Sequence, residues 1–585
     1  MKRHAIIALT GILLALSAFA KPLEIVLHHR YGEAPLLMES ARYETAAGET
    51  FSITRLAYLL SNFSLERENG TLVPLDEVAF VEAHERSSFS LSSAPPEAFR
   101  ALHFDVGLGS ETNHSDPARY AAGHPLNPLL NRLHWDWEGG YIFFALEGHF
   151  IALDQASAGY VYHVARDPNR TRMSVTVPID LRDPGRLHLV LDVEKLVNGP
   201  RPVSFSAAGR STHSNEGDAL PAQLMSNLKD ALKPLQFENT QALSAARAKV
   251  KPIDLPATFT PYPLTLPRSF PLPNLPLDNP LTVERVELGR RLFHEPALSR
   301  NGTISCASCH QAEAGFSDPR RFSLGLDGKA TPRQSMSLLN LAWKDSFFWD
   351  GRAKLLREQA LEPIENPIEM DEKLSRIPAK LTAIPGYDTA FKAAFGTAEI
   401  NSQRLGLALE AFLLTLVSTD AKFDQARQGK AQLTPEEQRG MELFFMEHEP
   451  THGKRGADCF HCHGGPLFSD HRFHDNGLGD EKDFGLGTIT GNPADRGKFA
   501  TPSLRNISLT APYMHDGRFA TLEEVVAHYN KGVKRTPNLD PNLAKHPDTG
   551  LGLSVADQAA LVAFLKTLTE ATPNRAGKMP TTLIK

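Results

Sequence analysis

The sequence predicts a multidomain chain: an N-terminal antiparallel β-sandwich followed by a mainly α half. Three observations predict it. At 585 residues the chain exceeds what one hydrophobic core serves, so two or three domains are expected. From about 22 to 210, segments such as "LEIVLHH", "YIFFALEGHFI", "RMSVTVPIDL" and "RLHLVLDV" alternate apolar and polar residues with turn residues between them, as strands do. Beyond the proline-dense stretch Lys251 to Pro280 the periodicity becomes helical.

At the N-terminus, Lys2 and Arg3 precede the apolar run Ala5 to Leu16, and Ala18-Phe19-Ala20 forms a small-x-small site before Lys21. This pattern reads as a cleaved signal peptide over 1–20, giving a mature periplasmic chain from Lys21. A membrane anchor needs a longer apolar run, and no later segment is long and apolar enough to span a bilayer. The sandwich is expected over 21–210 and a proline-rich linker over 211–280. Within that linker, "KPIDLPATFTPYPLTLPRSFPLPNLPLDNP" should be extended, tethering rather than packed. Thr434-Pro435-Glu436-Glu437 and Thr521-Leu522-Glu523-Glu524 fit the capping box. The second starts a helix in which Val525 and Tyr529 share a face and which Gly532 ends. "SVADQAALVAFLKTLTE" closes the chain as another amphipathic helix. A formal net charge of -6 gives no basic footprint, which excludes nucleic acid as a partner.

Cysteine usage is the strongest signal. The four cysteines form Cys306-Ala-Ser-Cys309-His310 and Cys459-Phe-His-Cys462-His463, each a C-x-x-C-H heme-attachment pattern. Two thiols at this spacing bond the two vinyl groups of one heme, and the following histidine presents its imidazole to the iron. An exported chain without other cysteines leaves little room for a disulfide framework. Zinc also takes Cys-x-x-Cys pairs, but a histidine after both pairs selects two covalently attached hemes, with His310 and His463 as proximal ligands.

"ELGRRLFHEPALSRNGTISCASCH", "FFWDGRAKLLREQALEPIENPIEM", "FATPSLRNISLTAPYMHDGRF" and "TLEEVVAHYNKG" together resemble the bacterial diheme cytochrome c peroxidase and MauG superfamily over about 281–572. The resemblance implies tandem cytochrome-c-like domains, the first over 281–430 with an open heme and the second over 431–585 with a His/Tyr heme. Ordinary members carry a blocking histidine shortly after the first motif; "FSLGLDGKA" has Leu326 there, implying a first heme open without reductive activation. They also place a methionine as sixth ligand of the second heme. Counting from His515 in "PYMHDG", that position falls on Tyr529, as in MauG-like proteins, with Met514 as the rival ligand. A phenolate supports a high-valent iron better than a thioether does.

The same resemblance implies further roles. Trp349 in "FFWDGR" matches the tryptophan that relays holes between the hemes, while Trp343 has the weaker claim. Gln359 and Glu369 match polar residues beside the open heme, Glu369 being the carboxylate placed to move a proton as peroxide loses water. Pro363 matches a position that shapes the distal pocket. Calcium between the hemes is implied by Thr510 and Pro512 through backbone carbonyls, with Gln334 replacing a family asparagine.

Residues from about 22 to 200 resemble the MbnP-like family through "RLAYLLSNFSL", "LHFDVGLG" and "LHWDWEGGYIFFALEG". MbnP-like proteins are copper-binding partners of the MauG relatives called MbnH, which oxidise a partner tryptophan to kynurenine. The resemblance implies enzyme and substrate in one chain, with Trp135 or Trp137 as the expected target, Trp135 being favoured beside His134. His28, His29, His134 and His163 are the candidate copper ligands, since imidazoles suit extracellular copper.

The expected activity uses hydrogen peroxide at the His310 heme, with the chain's own N-terminal domain as substrate, holes passing through Trp349, and the target tryptophan needing no contact with heme. A small c-type cytochrome or copper protein is the expected further partner. The rival reading is a peroxidase that detoxifies peroxide with electrons from such a cytochrome. A second rival, a non-catalytic copper store, is opposed by the open first heme.

Overall fold

Along Leu23–Tyr31 (β1), Leu23, Ile25 and Leu27 are buried while Glu24, Val26 and His28 are not, the pattern of a strand with one covered face. The computed structural model to which β1 belongs describes residues 23–571, apart from 39–42, 84–85, 92, 122, 136–139, 153–156, 184, 240–254, 268–269, 271–272, 274, 277, 450–453 and 480–481. The expected signal peptide and Trp137 lie outside the described residues. The remaining principal strands are β2 (Arg55–Glu66), β3 (Ala98–Val106), β4 (His134–Trp135), β5 (Gly140–Ile151), β6 (Ser157–Ala165), β7 (Thr171–Asp180), β8 (Gly185–Asp192) and β9 (Ser211–Thr212). Helix α1 (Ala219–Ala231) and strand β10 (Leu232–Asn239) complete this half.

One sheet runs in the order β10-β8-β1, and a larger one in the order β7-β3-β2-β5-β6-β9, with β4 paired to β5. Pairing is antiparallel except for β1 with β8 and β6 with β9, which are parallel because long connections separate the partners. The two sheets enclose one core, in which Ile25, Leu187 and Leu189 are clustered with Tyr58, Phe144 and Leu146.

β2 and β5 depart from the expected alternation. Nearly every residue of both is buried, so the larger sheet is covered on its outer face as well. Ala57, Leu59, Phe143, Ala145 and Trp135 of that face belong to one cluster with Leu443, Phe444, Phe460 and Phe564 of the α half. The sheet is thereby a middle layer, and its outer face is where the two halves meet.

The expected boundary at 210 is corrected. β9 pairs with β6 and β10 with β8, and α1 buries Leu220, Leu224 and Leu228 at helical spacing, so residues 211–239 belong to the sandwich domain. Among its described residues the proline-rich stretch has no helix or long strand, but it is not a loose tether. Phe270 is 3% exposed and packs on Trp343 with ring centroids 6.0 Å apart.

The α half contains two similar helix crossings. α2 (Val283–Phe293) packs on α4 (Ser402–Leu413), with α3 (Leu356–Glu365) between them in sequence; α6 (Pro435–Phe445) packs on α8 (Val555–Lys566). Both crossings depend on a glycine: a Cβ on Gly289 would lie 1.9 Å from Ala408 O, and one on Gly440 1.9 Å from Ala560 O. The short helix α5 (Lys422–Arg427) sits with the second crossing, through Phe423 against Phe564 and Asp424 against Arg505. The boundary between the α units therefore falls before Ala421 rather than at 430. The capping boxes form at Thr434 and Thr521, the latter opening α7 (Leu522–Ala527). Among the described residues no helix is long and apolar enough to cross a membrane.

Candidate heme sites and their contact with the sheet

At the first motif a single 3-10 turn, Cys306–Ser308, brings the two thiols to one side, and His310 N–H donates to Cys306 O at 2.9 Å. Burial pushes the Cys306 thiol up to about 12. His310 Nδ1 donates to Phe316 O at 3.0 Å, which fixes the tautomer and leaves Nε2 as the ligating nitrogen. Both thiols and this imidazole line a cavity of about 820 Å3 with Gln359, Pro363, Glu369 and Trp349. Its volume, paired free thiols and oriented imidazole fit a covalently attached heme.

Gln359 and Pro363 reach this cavity from α3. Glu369 accepts from Asn366 Nδ2 at 2.7 Å, and burial raises its pKa above the ordinary carboxylate value. The "FSLGLDG" loop lies directly on the Glu369 segment: Leu326 N–H donates to Glu369 O at 2.8 Å, and a Cβ on Gly325 would fall 1.6 Å from Ile368 O. Leu326 brings no ligating atom to the place expected for a blocking histidine.

Trp349 is buried, and its Nε1 donates to Gln334 O at 2.8 Å. The indole also borders a second cavity of about 80 Å3, shared by Gln334, Thr510, Pro512 and Met514. The three residues expected near calcium are therefore together, although Gln334 Nε2 is engaged by Ser317 Oγ at 2.7 Å. Lys344, which sequence reasoning did not single out, lines both cavities and is brought down to about 8 by burial. An unremarkable lysine between two aromatic motifs carries no sequence signal of burial.

At the second motif, Phe460–His463 forms one helical turn, and His463 Nδ1 donates to Phe468 O at 3.0 Å, again presenting Nε2. Burial pushes the Cys459 thiol up to about 12. Tyr529 does not continue α7 as an ordinary helical residue. The chain widens into a π-turn over His528–Gly532, which breaks the expected i, i+4 alignment with Val525 and re-aims the phenol. Burial raises the Tyr529 pKa; the Asn476 amide opposes this and the nearby Cys462 and Cys459 sulfurs add to it. Asn476 Nδ2 donates to Tyr529 Oη at 3.4 Å and lies 3.6 Å from Met514 Sδ, so both expected sixth ligands share one amide.

The sheet meets this second motif directly. Trp135, 5% exposed, lines a cavity of about 70 Å3 together with Phe460, His461, Gly464 and His474. His134 and His163 line the same cavity, and the Trp135 ring lies 6.3 Å from that of His163 and 5.6 Å from that of His213. Contact with heme was not required of the target tryptophan, and Trp135 is found beside Phe460, His461 and Gly464 of the second attachment turn. His28 and His29 are not brought to this place: His28 bonds to His188 at 2.8 Å and His29 to Tyr58 at 2.9 Å. Among the described residues, the imidazoles clustered with His163 are His213 and His461. His461 was missed because the heme motif accounted for it, and His213 because the expected linker did.

The di-haem cytochrome c peroxidase family model matches residues 283–432, and the MbnP model matches residues 20–214. The methylamine utilization protein MauG of Methylorubrum extorquens is 40% identical over 306 residues, which cover 52% of this chain and 82% of that one. The cytochrome c551 peroxidase of Nitrosomonas europaea is 36% identical over 302 residues, covering 50% of this chain and 83% of that one. A crystal structure of a MauG-like protein associated with microbial copper homeostasis is 37% identical, covers 53% of this chain and 95% of that chain, and superposes with a TM-score of 0.49.

Proposed function

The chain belongs to the di-haem cytochrome c peroxidase family and carries an MbnP domain ahead of it, and from that premise we propose that it uses hydrogen peroxide to oxidise Trp135 of its own sandwich domain, preparing a copper-binding site. The observation that carries this reading is the shared cavity: the buried Trp135 indole faces Phe460 and His461, which lie between the cysteines of the second motif.

The hemes, when bound, supply iron that accepts peroxide and holds oxidising equivalents. The chain supplies the rest. Glu369, half-buried at the first cavity, takes and returns the proton that peroxide must shift as its O–O bond breaks. Gln359 and Pro363 shape that cavity, and Leu326 leaves it open. Trp349, its N–H tied to Gln334 O, bridges the two α units as the hole relay. Tyr529, whose Oη accepts from Asn476 Nδ2, would hold the iron of the heme carried by His463. Calcium held near Gln334, Thr510 and Pro512 would stiffen the contact between the units. Lys2 through Ala20 would direct export to the periplasm.

The chemistry balances with two peroxides for each indole. Two oxygen atoms add across the pyrrole double bond, which breaks, and the peroxides leave as two waters; hydrolysis then releases formate and leaves kynurenine, an aryl amine beside a ketone. Relatives named as cytochrome c peroxidases also fit the rival detoxifying activity. Trp135→Phe separates the two. If Trp135 is the internal reductant, the oxidised heme spectrum produced by peroxide should persist longer in the variant. An unchanged decay, with fast turnover on a reduced c-type cytochrome, would favour detoxification.

A further inference from the structure

Three buried imidazoles meet where the sheet covers the second heme motif. His163 on β6, His213 just after β9, and His461 from within Cys459-Phe-His-Cys462 have ring centroids 5.2, 5.9 and 5.6 Å apart, and each offers a ring nitrogen within 4.8 Å of the others. His461 is available because it precedes His463 by two residues on a helical turn, about 200° of rotation, so it faces the sheet when His463 faces heme.

The histidines are held as ligands are held. His163 Nε2 donates to Glu147 Oε1 at 3.0 Å, and that carboxylate is anchored by Arg55 at 2.9 Å. Such a carboxylate fixes ring orientation and tautomer in metal sites. It leaves Nδ1 of His163 as a lone pair, and this atom is buried without a hydrogen-bond partner in a residue 4% exposed. Glu447 Oε1 lies 2.7 Å from His213 Nε2 and 3.0 Å from His461 Nε2, placing an anion beside the group.

Charge points the same way. Glu447 and Asp458 are buried with one ammonium, Lys545, at 3.0 and 3.1 Å, which leaves one negative charge in excess when the imidazoles are neutral. An uncompensated buried charge is costly, and a cation among the imidazoles removes the cost.

We infer that His163, His213 and His461 form a copper site shared between the sandwich domain and the second heme motif. Nitrogen and oxygen donors of this kind bind divalent copper above zinc in the usual order of affinities, and imidazole suits both oxidation states of copper. The inference deepens the preceding reading and rests on it only in taking copper as the resident metal. Its consequence is that the metal's ligand His461 stands between both heme-bearing cysteines, next to Cys462 and two residues from Cys459, and beside Trp135, so metal, heme and indole are electronic neighbours.

The test uses the full-length diheme protein, before and after peroxide, titrated with Cu(I) against bicinchoninate, with Cu(II), and with Zn(II). One copper should bind. His213→Ala and His461→Gln should weaken it by more than about 100-fold, and Glu147→Gln by about 10- to 100-fold as an outer partner. His28→Ala should leave binding unchanged. Heme content and circular dichroism of each variant show whether it has folded. Copper should also shift the reduction potential of the second heme and not the first, a response that a merely structural triad would not give. Unweakened binding in folded His213 and His461 variants, a zinc-only site, or loss of binding in His28→Ala would overturn the inference. Copper bound through these residues with Trp135 unaltered would sink the tryptophan reading and keep the site; altered Trp135 without copper binding would do the reverse.

Discussion

The two heme-attachment motifs share every residue that holds heme and differ between the cysteines: Ala307-Ser308 in one, Phe460-His461 in the other. The first opens on a cavity of about 820 Å3 lined by the half-buried carboxyl of Glu369. The second is pressed against the outer face of the large sheet, where Phe460 joins the apolar cluster and His461 joins the imidazoles. One attachment chemistry is thus given two surroundings, a large cavity at one site and contact with a buried indole at the other.

Removing the thiols tests that division most severely. Replacing Cys306 and Cys309 should abolish both peroxide consumption and change at Trp135. Replacing Cys459 and Cys462 should silence Trp135 while peroxide still reacts at the first site. Stopped-flow spectra and peptide mapping read the two effects, and identical behaviour of the double variants would erase the comparison. Glu369→Gln should then slow the peroxide reaction by about 10²- to 10⁴-fold. Burial raises the Glu369 pKa, so the ionised base forms only at higher pH than an ordinary carboxylate allows. The wild-type rate should climb with pH through that raised value, and a variant that keeps the climb would show that another group moves the proton.

On the sheet side, His474 lines the Trp135 cavity between Asp540 at 2.6 Å and Asp470 at 2.8 Å. Burial opposes its charge, but the two carboxylates prevail and raise it to about 10. A raised histidine stabilises fully below its unfolded pKa of about 6.5 and loses that contribution as pH rises through the folded value. Stability against denaturant should therefore fall as pH rises from about 6.5 to 10. His474→Gln should cost about 3–5 kcal/mol at neutral pH and flatten the dependence. A variant with unchanged stability would show that the carboxylates find other partners. The smallest expected change is spectroscopic: Tyr529→Phe should alter the low-spin second heme and leave the first as it is, while Met514→Leu should alter neither. The opposite pattern would make Met514 the ligand.

Much of this was legible in the sequence because local chemistry wrote it there. Cysteine spacing marked both attachment turns, capping boxes placed two helix starts, and the motifs around Trp349 and Glu369 placed residues that do line one cavity. Long-range pairing was not legible. Arg55–Glu66 and Gly140–Ile151 read as ordinary strands, yet their second face is buried by an α unit some three hundred residues or more downstream. For the same reason His213 read as linker, and His461 as a spacer between cysteines. Their common site exists only once the halves meet. The π-turn at Tyr529 was likewise hidden, since a regular helix and a widened turn share the same capping signal.

Peptide mass spectrometry of Trp135 in full-length protein carrying both hemes, compared before and after peroxide, tests the central claim most directly. The account predicts that Trp135 gains two oxygens, or that change less carbon monoxide, in step with peroxide consumed, while Trp349 keeps its mass. An unaltered Trp135 in protein that has consumed peroxide at both-heme occupancy would contradict it.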